Sequence, residues 1–151
     1  MKRQVGSYVL LIQLIGDTTI TVGKLGVFSF NRGYYLYSGS ALGGLSSRLI
    51  RHLSKEKKNH WHIDYLLMHS QVIDIWGIIS SEHLECCFAQ ASNVLPESRI
   101  PVRGFGSSDC QCQSHLLFLP ERPLLADFQS ALNRISNRSI TVESLSMPPV
   151  D

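Results

Sequence analysis

Three short runs near the start of the chain, SYVLLIQLI (7–15), TTITV (18–22) and GVFSF (26–30), are rich in β-branched and aromatic residues and are separated by Gly-Asp and Gly-Lys turn signals. After Asn31-Arg32-Gly33 the chain enters YYLYSG (34–39). The four runs predict a small antiparallel meander, with TTITV as the return strand of a hairpin from the first run. From Leu42 the apolar period becomes four: Leu45, Leu49 and Leu53, flanked by Ile50, mark the buried stripe of a helix. HIDYLLMHS (62–70) predicts a second, short helix and VIDIWGIIS (72–80) a buried strand. SEHLECCFAQASNVL (81–95) predicts a helix capped by Ser81, with Leu84, Phe88 and Ala91 turned inward. PESRIPVRGFGSSDCQCQ (96–113) holds too many breakers for regular structure, SHLLFL (114–119) predicts a last strand, and RPLLADFQSALNRI (122–135) an amphipathic helix begun by Pro123. The fold class is therefore α/β: a small antiparallel sheet flanked by helices, as one domain over residues 1–119, a C-terminal helix over 120–135 packing on it, and a loose tail over 136–151.

A length of 151 residues supports one core and disfavours two. No apolar run approaches the roughly 20 residues of a membrane span. The basic start and apolar stretch of MKRQVGSYVLLIQLIG imitate a secretory signal, but Gln13 interrupts it and no small-x-small site follows, so the cytoplasm is the expected compartment. A net charge of +2 does not announce a nucleic-acid protein, so its placement has to decide. Residues 46–60 hold five Lys or Arg against the single acid Glu56, and Arg48, Arg51, His52 and Lys55 are read as one basic helix face opposite the leucines. A solvated helix face is the ordinary explanation of such a run. Just before it, Ser38-Gly39-Ser40 and Gly43-Gly44 let a backbone approach a phosphate at the N-terminus of the helix.

Gly6-Ser7-Tyr8 and Tyr37-Ser38-Gly39, followed by Ser40-Ala41, Leu45, Arg48-Leu49, His52 and later Glu85, give the chain a resemblance to the GIY-YIG endonuclease superfamily, and within it to the Uri-type branch. The resemblance covers roughly residues 5–118, with HWHIDYLL and GFGSSDCQC similar to markers of that branch. It implies a metal-dependent endonuclease hydrolysing phosphodiester bonds in DNA, in repair or processing of structured DNA. Tyr8, Tyr37, Arg48, His52 and Glu85 are then the catalytic set, with Glu85 holding one Mg²⁺ or Mn²⁺ ion. Ser40, Arg51, Lys55, Lys57, Lys58 and His60 are the expected nucleic-acid contacts. Arg48 would hold the phosphate, Tyr8 would take the proton of the attacking water, Tyr37 would orient it and His52 would assist the transfer. Two departures stand out. The tyrosines lie 29 residues apart, so TTITVGKLGVFSF is read as an insertion in the sheet, and the family's closing asparagine has only Asn93 or the GSSD loop (106–109) as a counterpart.

Other chemistry competes for the same residues. His60, His62 and Asp64 would share a face only on a strand; on the predicted helix they scatter, so His62 and Asp64 are expected to brace the site or the fold. Cys110 and Cys112, with His115 and Cys86 or Cys87, offer four soft ligands for zinc, but C-x-C lacks the gap of common zinc knuckles, and free thiols are the expectation. Trp61 and Trp76 are read as core residues, with base stacking the lesser alternative for Trp61. The alternatives to the enzyme are a nucleic-acid-binding module of the same fold that has lost cleavage, and a zinc-stabilised protein-interaction domain.

Overall fold

A computed structural model describes residues 4–41, 43–107 and 110–146. The strands are β1 (Gly6–Leu14), β2 (Thr18–Val22), β3 (Gly26–Phe30), β4 (Gly33–Ala41), β5 (Gln71–Ile79), β6 (Leu116–Leu119) and β7 (Glu143–Ser144). The helices are α1 (Leu45–Leu53), α2 (His62–Leu67), α3 (Glu85–Asn93) and α4 (Leu125–Ser136). Five strands form one antiparallel sheet in the order β6-β4-β1-β5-β7, flanked by helices, which is the expected fold class.

The central strand explains the layering. Its side chains alternate between faces with period two, and nearly every one is buried. Tyr8, Leu10, Ile12 and Leu14 enter a core shared with Tyr35 and Tyr37 of β4, Leu45 and Leu49 of α1, and Ile63 and Leu66 of α2. Val9 and Leu11 enter the opposite core, with Trp76, Phe88 of α3, and Phe128 and Leu132 of α4. A strand covered on both faces reads as a near-continuous apolar run, which is why SYVLLIQLI shows little alternation.

The first four strands do not form a meander. β1 pairs with β4, Tyr8 opposite Gly39 and Leu10 opposite Tyr37, while β2 and β3 pair only with each other as a separate two-stranded sheet. Ile20, Val22 and Phe30 anchor that hairpin in the core formed by α2. The hairpin between the tyrosines therefore sits outside the main sheet and leaves their strands adjacent.

Three element ends also differ from expectation. Helix α3 begins at Glu85 rather than near Ser81: the Leu84 N–H is satisfied by Ser7 Oγ at 3.1 Å, a partner 77 residues away. Helix α4 begins at Leu125, two residues beyond Pro123, and ends on Asn137 in the left-handed conformation. The segment after Ser136 is not loose over its described part. Ile140 and Val142 are buried in the second core, Gln129 accepts from the Val142 N–H at 2.7 Å, and β7 pairs with Trp76 and Gly77. No helix among the described residues is long and apolar enough to cross a membrane.

Candidate functional site

Gly39 lies opposite Tyr8 in the sheet, and a Cβ there would come within 2.5 Å of the Tyr8 hydroxyl, so only glycine leaves room for that ring. Tyr8 and Tyr37 then point to one face and line a cleft of about 450 Å³ with Arg48, Ser40, Trp61, His62 and Glu85. The residues come from β1, β4, α1, α2 and α3. Asn93 does not reach the cleft and lines a separate hollow on the far part of α3; Ser108 and Asp109 of the GSSD loop lie outside the described residues.

Hydrogen bonds fix the members. The Tyr8 hydroxyl meets His52 Nε2 at 2.6 Å, and the Arg48 guanidinium donates to the Ser40 carbonyl at 3.2 Å while lying 4.4 Å over the Trp61 ring. Ser40 Oγ donates to Glu85 Oε2 and shares a 2.7 Å bond with Ser7 Oγ, so two strand serines orient the one carboxylate. Glu85 Oε1 lies 3.8 Å from His83 Nδ1. Burial pushes Tyr8 up to about 12, against the pull of the Arg48 charge and hydrogen bond. Burial drives Tyr37 up as well, helped by neighbouring Tyr8. Burial also lowers His52 to about 3, with Lys57, Arg48 and Arg51 adding to the effect and Asp64 opposing it, so the ring is neutral around pH 7.

The chain matches the family described as "Domain of unknown function DUF123" over residues 7–137. It belongs to this family. The matched span contains every residue named in the cleft. No curated protein and no solved structure matches the chain.

In this DUF123 domain the basic face is not the one expected. At about 100° per residue, His52 falls about 20° from Leu45 on the helical wheel, along the Leu45 edge of the apolar stripe. It is buried accordingly, behind Tyr8 and outside the cleft lining. Its place is that of a group that positions Tyr8. Arg51 is also committed elsewhere, gripping Asp64 through two bonds of 2.9 and 2.8 Å and lying 4.2 Å over Trp61. Lys55 bonds the Leu67 and Ser70 carbonyls, and Lys57 bonds the carbonyls of Arg51, His52 and Ser54 at the end of α1. These two lysines cap backbone rather than reach outward, and burial lowers both from the ordinary lysine value. Lys58 and His60 are exposed. Ser40, expected on the nucleic acid, lines the cleft and bonds Glu85.

Asp64 braces the fold as expected. Fully buried, it accepts the His60 and Trp61 N–H groups at 2.8 Å each, besides the Arg51 pair. Burial alone would raise its carboxyl, but Arg51 and those two N–H groups outweigh burial and hold it below the usual range. Asp64→Ala is expected to destabilise the fold by about 3 kcal/mol, the scale for removing one partner of a buried pair, seen as a lower urea midpoint at unchanged m-value. An unchanged midpoint would show that the bridge contributes no stability. His62 likewise braces, its Nδ1 accepting the Gly106 N–H at 2.9 Å.

A second cluster adjoins the cleft. Cys86, Cys110, Cys112 and His115 each offer one ligand atom, and all four atoms lie within 4.8 Å of one another, which is metal-binding distance. Cys87 is not among them and packs against the second core. Burial, then the neighbouring thiols, push Cys86 up; burial is also the chief cause of the rise at Cys112. None of the four cysteines is in a disulfide, and three of them meet His115 at metal-binding distance although their spacing along the chain argued against a metal site. Residue-by-residue reading did not show that Ser7 bonds Glu82 and Leu84, from a segment more than 70 residues on, or that partly exposed Trp61 walls the cleft.

Proposed function

We propose that this DUF123 domain is a divalent-metal-dependent endonuclease that hydrolyses DNA phosphodiester bonds, by the chemistry that its resemblance to the GIY-YIG superfamily and the Uri-type branch implies. One observation carries the reading: Tyr8, Tyr37, Arg48 and Glu85, from four separate elements, converge on a single cleft. Glu85 suits the implied ion. It is a hard oxygen donor in that cleft, oriented through Ser40 and Ser7, and Mg²⁺ or Mn²⁺ needs few protein ligands because it retains water. When bound, such an ion supplies positive charge that acidifies a water and offsets charge on the phosphate.

The chain's own residues do the rest. Arg48 offers a planar fork to a phosphate oxygen, and its stacking on Trp61 and its bond to Ser40 restrict the fork before substrate arrives. Arg48 is also the cation that favours the phenolate of Tyr8. In its ionised form, which burial disfavours and Arg48 favours, Tyr8 would take the proton of the attacking water, whose oxygen bonds to phosphorus as the leaving oxygen departs with its electron pair. His52 holds the Tyr8 oxygen in place, and Tyr37 walls the cleft beside it.

The position of Asn93 outside the cleft favours the second reading, a nucleic-acid-binding module of this fold without cleavage. One experiment separates them: the full chain is incubated with plasmid, branched DNA, single strands and RNA, with Mg²⁺, with Mn²⁺ or with chelator. Cleavage of a DNA substrate that needs the ion is the expected result. Binding without cleavage of any substrate would establish the second reading instead.

A further inference from the structure

The cluster of Cys86, Cys110, Cys112 and His115 has a geometry that free thiols do not require. A tetrahedral zinc ion with Zn–S of about 2.3 Å and Zn–N of about 2.05 Å places its sulfurs about 3.8 Å apart and sulfur about 3.6 Å from nitrogen. His115 Nε2 lies 3.7 Å from Cys86 Sγ and 3.2 Å from Cys110 Sγ, on either side of that value, and all four donors fit within 4.8 Å. Both sulfur contacts fall on Nε2, so one ring nitrogen faces two of the three thiols.

The three segments that contribute come from separate parts of the chain. Cys86 sits in the first turn of α3, directly after Glu85, whereas Cys110 and Cys112 belong to a long irregular loop and His115 to the run into β6. The loop is closed on itself by the Gly104 N–H to Gln113 carbonyl bond at 2.7 Å and the His115 N–H to Phe105 carbonyl bond at 2.9 Å. It is tied to β4 by the Ser38 N–H to His115 carbonyl bond at 3.0 Å. An irregular loop of this length needs a fastening to hold one conformation.

We propose that Cys86, Cys110, Cys112 and His115 bind one zinc ion, which clamps the 104–115 loop to the start of α3 and so fixes the backbone that carries Glu85. Four protein donors complete a tetrahedral shell, the mark of a structural site rather than of one that activates water. Three thiolates and an imidazole are soft ligands that select zinc over Mg²⁺ or Mn²⁺, so this ion is distinct from the one assigned to Glu85. The proposal does not depend on the nuclease reading, and its tests measure metal and conformation rather than cleavage.

The full chain, purified without chelator from cells grown with added zinc, is analysed by elemental mass spectrometry, then stripped and titrated with Co²⁺ as a spectroscopic probe. The expected results are about one zinc per chain and the visible and near-ultraviolet bands of a tetrahedral cobalt–thiolate site, both retained in Cys87→Ser and lost in Cys112→Ser. Absence of zinc and of these bands, or their survival in Cys112→Ser, would overturn the site. For the clamp, trypsin cleavage after exposed Arg103 is followed in the stripped protein with and without Zn²⁺. Zinc is expected to slow that cut about tenfold or more, on the order of one 1.4 kcal/mol step in an opening equilibrium. An unchanged rate would show that the metal does not hold the loop.

Discussion

Glu85→Gln is expected to reduce metal-dependent cleavage about 1,000-fold, to the background of the assay, while DNA affinity changes little. The substitution keeps side-chain size and leaves an amide oxygen for the Ser40 hydroxyl, so the serine contacts persist. What disappears is the negative charge, and Glu85 is the only carboxylate among the described residues that line the cleft. With no second acid to retain the ion, the loss falls on the charge-stabilising step, whose removal costs about 10²–10³ even when a single neutral donor is deleted. The check is single-turnover cleavage across a Mn²⁺ series with affinity measured in parallel. Full activity in Glu85→Gln would end the assignment of the ion to this residue.

Arg48→Ala should lower single-turnover cleavage at saturating protein by about 100-fold or more, with lysine a poor substitute because it lacks the planar fork. The proper contrast is Lys58→Ala. Lys58 is exposed, whereas Lys55 and Lys57 hold backbone carbonyls and their removal would confuse stability with binding. If Lys58 meets a phosphate, its loss should flatten the salt dependence of duplex binding by about 0.9 log unit per log unit of salt and leave cleavage of bound DNA intact. Since Arg48 also stacks on Trp61, the melting temperatures of Arg48→Ala and Arg48→Lys are compared with the parent. Normal cleavage of bound DNA by a folded Arg48→Ala protein would reduce α1 to a docking surface.

The residues proposed for the chemistry were visible one by one in the sequence, yet the same inspection misjudged their neighbours. Arg48 and His52 are four apart, and both looked like members of a basic face. The wheel puts His52 inward, and burial beside Tyr8 makes it neutral. Arg51, Lys55 and Lys57 looked like phosphate ligands because charge is what a sequence displays. Their actual acceptors, Asp64 and six backbone carbonyls, depend on how α1 meets α2 and how its own end is capped.

Local preference was enough to determine most elements of this chain. β-branched runs, the four-residue leucine period and the glycine turns mark β1 to β5 and α1 to α4 because those signals act within a few residues. Pairing and closure were decided only in three dimensions. Strand β2 abandons β1 for β3 because β1 already has β4 and β5 on its two edges, and α3 starts where Ser7 can meet its first N–H group. The Cys-x-Cys spacing looked wrong for zinc because a spacing rule counts along the chain, whereas four donors need only meet in space. Here Cys86 reaches Cys110, Cys112 and His115 because β4 and β6 bring the loop against α3, which no local signal in the sequence records.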